Sequence, residues 1–270
     1  MGSKRVFITG GASGLGRALA NCFADAGYKV CIGDVDDGRG AEVLAELQAK
    51  TTAHYCHCDV TQESALQAAA DWLKSEWGGV DVVINNAGVA SAGSITEFPL
   101  VDWEWIMNIN VLGVVRGCKV FATLMQEQGS GHLVNVASLA GLVSAPKMSS
   151  YCATKAAVVA ISEVLSVELD QDNIAVSVVC PSFFRTNLAD TARASDAASQ
   201  AATQRLVNKA KLGADEIAAR VFDSIQKREF YILPHPEGRS AWRLKRWLPY
   251  SRFRALMIKR TSKMMVKRNA

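Results

Sequence analysis

The feature that most constrains this chain is a rhythm of short, continuously apolar runs separated by longer amphipathic stretches. The runs Arg5–Thr9, Lys29–Gly33, Ala53–Cys58, Val80–Ile84, Gly131–Val136, Ile174–Cys180 and Phe230–Leu233 read as strands. Stretches near 15–27, 37–49, 62–77, 100–128, 150–170 and 214–227 read as helices. A strand apolar on both faces must be covered on both, which implies a parallel sheet between helical layers. Right-handed crossovers make the fold a doubly wound α/β sheet of about seven strands, with ligands at the carboxyl ends of the strands. No linker divides the chain before residue 234. Residues 1–233 are therefore expected to form one catalytic domain, and residues 234–270 an extension. Asn187–Gly213, rich in Ala, Ser, Thr and Asp, predicts a mobile lid of short helices.

The first strand runs into Thr9-Gly10-Gly11-Ala12-Ser13-Gly14-Leu15-Gly16, just before a helix. Such a turn lets backbone approach a pyrophosphate, and the helix N-terminus offers free N–H groups to its charge. This is the signature of a Rossmann-type dinucleotide site. Asp34, ending the second strand, is placed to accept both adenosine ribose hydroxyls and to repel a 2′-phosphate, so NAD is expected ahead of NADP. Arg39, one helical turn on, leaves NADP open, and a helix cap is the competing role for Asp34. Asp59-Val60 ends the third strand, where the carboxylate either meets adenine or caps the next helix. Asn85-Asn86-Ala87-Gly88 ends the fourth strand, its small residues leaving room for the cofactor.

Tyr151 and Lys155 stand at i and i+4 on one predicted helical face. A free tyrosine has a pKa near 10, too high for a base at neutral pH. An ammonium about 4 Å away contributes roughly 4 kcal/mol at intermediate dielectric, enough to lower that value by up to about three units before desolvation is subtracted. Ser138 follows the fifth strand and offers a hydroxyl to the reacting oxygen. Asn110 lies in the helix after the fourth.

In this order and spacing, Thr-Gly-x-x-x-Gly-x-Gly at 9–16, Asn-Asn-Ala-Gly at 85–88, Asn110, Ser138 and Tyr-x-x-x-Lys at 151–155 resemble the short-chain dehydrogenase/reductase family. The resemblance implies Tyr151 as general acid/base, Lys155 on the tyrosine and the nicotinamide ribose, and Ser138 on the substrate oxygen. Asn110 would order a relay water, and Thr186, beyond Pro181, would touch the carboxamide. It also implies a dimer across the helices near 100–128 and 150–170. Two features depart from the family: Ser182 replaces the glycine usual after the proline, and a Pro-His-Pro turn with a basic tail replaces the usual C-terminal segment. The second puts the common tetramer in doubt.

The substrate is expected to be a hydrophobic secondary alcohol or ketone, because Leu139, Val143, Met148, Phe183, Phe184 and Leu188 flank the pocket positions and none is charged. The alternatives are an NADP(H)-dependent reductase of acyl-type or aldehyde substrates, a non-catalytic dinucleotide-binding regulator and a membrane-surface module. The seven cysteines form no CxxC pair, and no metal site is expected at His54, Cys56, His57 and Cys58. No secretory signal or apolar run of spanning length is read, so a cytoplasmic protein is expected.

Charge divides the chain. Residues 239–270 hold eleven Lys/Arg and no Asp/Glu, leaving 19 basic and 26 acidic residues in the remainder, a net of −7. Arg239, Arg243 and Arg246 share one helical face, and Trp242, Trp247 and Tyr250 add amphipathic rings. Beyond Pro249, Phe253, Met257 and Met264 share a face flanked by Arg252, Arg260, Lys263 and Lys267. Two readings stand side by side: peripheral contact with an anionic membrane, or packing on the sheet or a partner subunit. Nucleic acid is disfavoured, since the acidic body repels phosphates.

Overall fold

The computed structural model describes residues 3–186, 188 and 192–262. In chain order the elements are β1 (Arg5–Thr9), α1 (Gly14–Asp25), β2 (Lys29–Asp34), α2 (Asp37–Gln48), β3 (Ala53–His57), α3 (Glu63–Trp77) and β4 (Val82–Asn85). The two-residue β5 (Ser91–Ala92), α4 (Leu100–Met107), a π-helical turn at Asn108–Leu112, α5 (Gly113–Gln128), β6 (Gly131–Val136), the short α6 (Leu139–Leu142) and α7 (Ser149–Glu168) follow. A 3₁₀ turn (Asp170–Asp172), β7 (Ile174–Val179), β8 (Arg193–Ala194), α8 (Ala197–Asn208), α9 (Ala214–Gln226), β9 (Tyr231–Ile232), α10 (Pro236–Trp247) and α11 (Tyr250–Thr261) complete them.

Seven strands form one parallel sheet in the order β3-β2-β1-β4-β6-β7-β9. β1 lies between β2 and β4, so the winding reverses there and opens a crevice at the strands' carboxyl ends. The strands are apolar on both faces because two helical layers cover them. Phe7, Leu66, Leu73, Phe121, Met125 and Leu133 belong to one buried cluster, and Ile8, Leu19, Phe23, Ile32, Leu47 and Ile217 to the other.

Two expectations need correction. The single helix predicted over 100–128 is interrupted by the π turn, where one widened turn carries the fully buried Asn110. Among the described residues of the 187–213 segment lies the helix α8, with Asp196 capping it through the N–H of Ser199 at 2.8 Å. β8 pairs with β5, and Arg193 bonds Asp102 at 2.6 Å while stacking on Trp105, which anchors the approach to α8. The helices spanning Leu100–Gln128 and Ser149–Glu168 are apolar and long enough to compare with membrane spans, contrary to expectation, but about half of each is buried within the fold.

The extension is folded onto the body. Arg239 donates to the Leu233 carbonyl at 2.9 Å, Lys245 donates to the Leu142 carbonyl at 2.6 Å, and Trp242 packs on Tyr231. Packing on the sheet edge thus accounts for Trp242. It does not account for Trp247 and Tyr250, which stand out in solvent. Met264, Lys263 and Lys267 lie outside the described residues.

Candidate active site

The crevice is built by backbone first. Gly14 adopts φ +51°, and a side chain there would press on the Thr186 hydroxyl. A Cβ at Gly16 would run into the Gly10 carbonyl, so helix and turn meet at a distance only glycine allows. Ser13 precedes α1 without capping it through its side chain, and no acidic residue occupies the first turn. The positive end of α1 is therefore left to face an anion. Asn86 locks the turn to β4: its Nδ2 donates to the carbonyls of Thr9 and Gly10 at 2.9 and 3.1 Å, and Thr9 Oγ1 accepts the N–H groups of Asn86 and Ala87.

A cleft of about 400 Å³ runs along these ends. Gly10, Ser13, Gly14, Leu15, Asp34, Asp59, Val60, Asn86, Ala87, Gly88, Tyr151, Lys155, Pro181 and Thr186 all line it. Gly16 packs behind its rim. The Asp34 carboxylate accepts N–H groups from Ala12 at 3.0 Å, Val35 at 2.8 Å and Asp36 at 3.2 Å. It is not a helix cap, because Asp36 caps α2 through the N–H of Arg39. Asp59 is not a cap either; its carboxylate accepts the N–H of Thr61 at 2.9 Å, and the residue before α3 is Gln62. Arg39 shares the Asp34 end of the cleft and pairs with Asp36 at 3.3 Å. This backbone cradle, with a carboxylate at one end and a lysine and tyrosine at the other, fits a dinucleotide.

Tyr151 and Lys155 occupy one face of α7, both buried, with the Lys155 Nζ 5.9 Å from the tyrosine ring centroid. That ammonium donates to the Val136 carbonyl at 2.9 Å. Burial pushes the phenol up to about 12, against the opposing pull of a Ser138 hydrogen bond, and drives Lys155 down to about 8. The expected lowering of the tyrosine by Lys155 does not emerge in the protein alone, where desolvation is the largest influence on both groups. Ser138 caps α6 through the N–H of Ala140 at 3.1 Å and donates to the Pro181 carbonyl at 3.4 Å. Asn110 stands behind the cleft wall. Its amide clamps Val89 from both sides, accepting the N–H at 2.8 Å and donating to the carbonyl at 2.9 Å, and reaches Thr154 at 3.3 Å.

Three contributors escaped the sequence reading. Asn85, Asn135 and Ser162 form a buried network linking β4, β6 and α7, signalled only by polar residues inside apolar elements. His235 accepts the Ser182 N–H at Nδ1, 3.1 Å away, so the Pro-His-Pro turn holds the loop that departs from the family pattern. Met257, on α11, joins the wall of a second cavity of about 220 Å³ that opens from Tyr151, Ser138, Pro181 and Thr186. Its other walls include Leu139, Val143, Met148, Phe183, Phe184, Leu188 and Val207, and none of the described residues that line it is charged. Elsewhere, His54 stacks on Trp72 and His57 meets Asp37 at 2.9 Å.

A dinucleotide crevice beside a buried Tyr-Lys pair and an uncharged cavity defines a nicotinamide-linked oxidoreductase. The family profile described as short chain dehydrogenase matches residues 4–197, and the chain belongs to that family. It is 37% identical to a "CLA biosynthesis dehydrogenase/reductase" of Lactiplantibacillus plantarum, covering 87% of this chain and 88% of that one. It is 31% identical to the probable oxidoreductase EphD of Mycobacterium tuberculosis, over 92% of this chain but only 44% of that longer protein. A short-chain dehydrogenase/reductase from Burkholderia phymatum, solved in complex with NAD, superposes with a TM-score of 0.86 at 37% identity, covering 90% of this chain and 93% of the other.

Proposed function

We propose that the protein interconverts an apolar secondary alcohol and its ketone with NAD(H). The observation that carries this reading is the uncharged cavity sharing Tyr151, Pro181, Phe184 and Thr186 with the dinucleotide cleft. When bound, the nicotinamide would supply or accept the hydride. Tyr151 donates a proton to the carbonyl oxygen in reduction and takes one from the alcohol in oxidation. Ser138 holds that oxygen, and Lys155 carries the charge that favours the phenolate. Asn110, by clamping Val89, positions the cleft wall; a water beside it would extend the proton path. The Asp34 carboxylate, oriented by three backbone N–H groups, suits a ribose diol, and the pairing of Arg39 with Asp36 leaves it poorly placed for a 2′-phosphate. A pure dinucleotide sensor has no use for a tyrosine and a serine in the wall between two cavities.

The test is NADH absorbance over a homologous series of secondary alcohols and ketones. An apolar cavity rewards each buried methylene by about 0.8 kcal/mol, close to fourfold in kcat/KM, until the space is full. A flat or falling series would overturn the hydrophobic assignment.

We also infer a homodimer. Leu100 and Val101 on α4, Leu112 on the π turn, Val115 on α5 and Val164 and Val167 on α7 leave apolar side chains in solvent on the helices the family pairs. Val167→Lys is expected to shift the sedimentation mass toward the monomer.

A further inference from the structure

We propose that α10 and α11 form a docking arm for an anionic lipid bilayer, set so that the bilayer lies one helix away from the substrate cavity. The arm has two unlike faces. Inward, Trp242 and the buried Phe253 hold it to the body, and Met257 reaches the cavity wall. Outward, Trp247 is 85% exposed and Tyr250 74% exposed, on either side of the Leu248-Pro249 bend. Ile258, next to Met257 in sequence, also faces solvent. Residues 239–262 contain no carboxylate, while Arg243, Arg252 and Arg254 are among the exposed cations around these rings.

That combination suits a headgroup layer better than a protein partner. Tryptophan and tyrosine settle at the membrane–water boundary, and each nearby cation adds attraction to anionic lipid. The exposed apolar groups of the arm are few, separated and ringed by charge. A stable protein interface has an apolar centre, whereas the exposed rings Trp247 and Tyr250 lie among exposed cations. The body, net −7 through residue 238, is repelled by the same bilayer, so the molecule would settle arm first. With Met257 in the cavity wall and Ile258 in the lipid layer, an apolar substrate dissolved in the bilayer enters beside α11. This delivery step rests on the hydrophobic-substrate reading above; docking does not.

The test uses full-length protein with NAD⁺ and sedimentation with two kinds of vesicle, phosphatidylcholine alone and an equal mixture with phosphatidylglycerol. Docking predicts salt-sensitive binding to the mixed vesicles, at least about tenfold tighter than to the neutral ones. Trp247→Ser/Tyr250→Ser and, separately, Arg243→Glu/Arg252→Glu should each weaken it, the charge variant by about fivefold or more per cation changed. Turnover of a water-soluble alcohol without vesicles should be unchanged in both. Equal binding to both vesicles, or none, overturns docking. A variant that changes the sedimentation mass of the free protein and not vesicle binding also overturns it, assigning the arm to a second copy of the chain. For delivery, a long-chain secondary alcohol loaded into mixed vesicles should be oxidised several-fold faster by wild type than by the Trp247→Ser/Tyr250→Ser variant. Equal rates with binding intact overturn delivery alone. Failure of both proteins to oxidise any apolar alcohol, loaded or free, would instead defeat the substrate reading.

Discussion

The two cavities that meet at Tyr151 are built in different ways. The dinucleotide cleft is made from the turns that follow β1, β2, β3, β4, β6 and β7, with α7 closing one end, and the sheet fixes the position of each turn. The substrate cavity is assembled from α6, the loop before α7, the 181–188 segment, α8 and α11, which lie far apart in sequence and for the most part off the sheet. One contains carboxylates and close-packed glycine; the described lining of the other carries no charge. Binding and chemistry therefore rest on the rigid part of the fold, while the choice of substrate rests on a shell that can vary without disturbing the sheet.

Tyr151→Phe, at the junction, is the severest test of this division. It removes the transferable proton and keeps the ring, so kcat should fall about 10²–10⁴-fold while NADH affinity changes by no more than a few-fold. Comparable losses in both would show that the cavities are not separable. The pH profile adds a sign. Reduction needs the phenol protonated and oxidation needs it deprotonated, and burial holds it far above neutrality, at about 12. Oxidation should therefore rise with pH by up to roughly tenfold per unit from neutrality, and reduction should stay level. Because Lys155 gives up its charge near 8, the rise should flatten above that pH. A flat oxidation profile from the outset would place the base elsewhere.

Asp34 tests the cleft alone. Charged hydrogen bonds contribute about 1.5–3 kcal/mol each, so Asp34→Ala should weaken NAD binding about tenfold or more and narrow its lead over NADP. Asp34→Asn keeps one acceptor oxygen, enough for the N–H groups of Val35 and Asp36 but not also for that of Ala12, while removing the repulsion toward a 2′-phosphate. It should gain NADP affinity with less damage to the loop. Neither change should alter the ranking of alcohols in a substrate series. A wild type that prefers NADPH would overturn the reading of Asp34 and move attention to Arg39.

The same division governs how much could be read beforehand. The seven sheet strands fall within about two residues of their predicted limits, because a buried parallel strand must be a continuous apolar run. Most cleft residues were legible because they end or follow such a strand, and Tyr151 and Lys155 because they share one helical face. The π turn at Asn110 was not, since nothing in Met107-Asn108-Ile109-Asn110-Val111 breaks a helical pattern. The tyrosine–lysine electrostatics were misjudged for a physical reason: the charge separation was anticipated, but the cost of burying both groups depends on walls that only the fold supplies. Phe253 and Met257 were correctly grouped on one face of α11. Amphipathicity alone does not say whether such a face meets lipid or protein, and here it meets protein.

Met257 therefore offers the mildest and most local test. Met257→Ala removes a long side chain from the one cavity wall contributed by the extension and leaves the remaining contacts of α11 in place. Met257 is only half-buried, so the stability cost should be about 1 kcal/mol, below the range for fully buried positions. The enlarged cavity should raise kcat/KM for a bulkier alcohol by about two- to fivefold and lower it for a compact one, which loses contact with the wall. Cofactor KM should not move, because no residue of α11 lines the dinucleotide cleft. An unchanged substrate ranking would mean that α11 stands outside the working cavity and that specificity, like chemistry, is carried by the catalytic domain alone. A changed cofactor KM would show that the arm reaches both cavities.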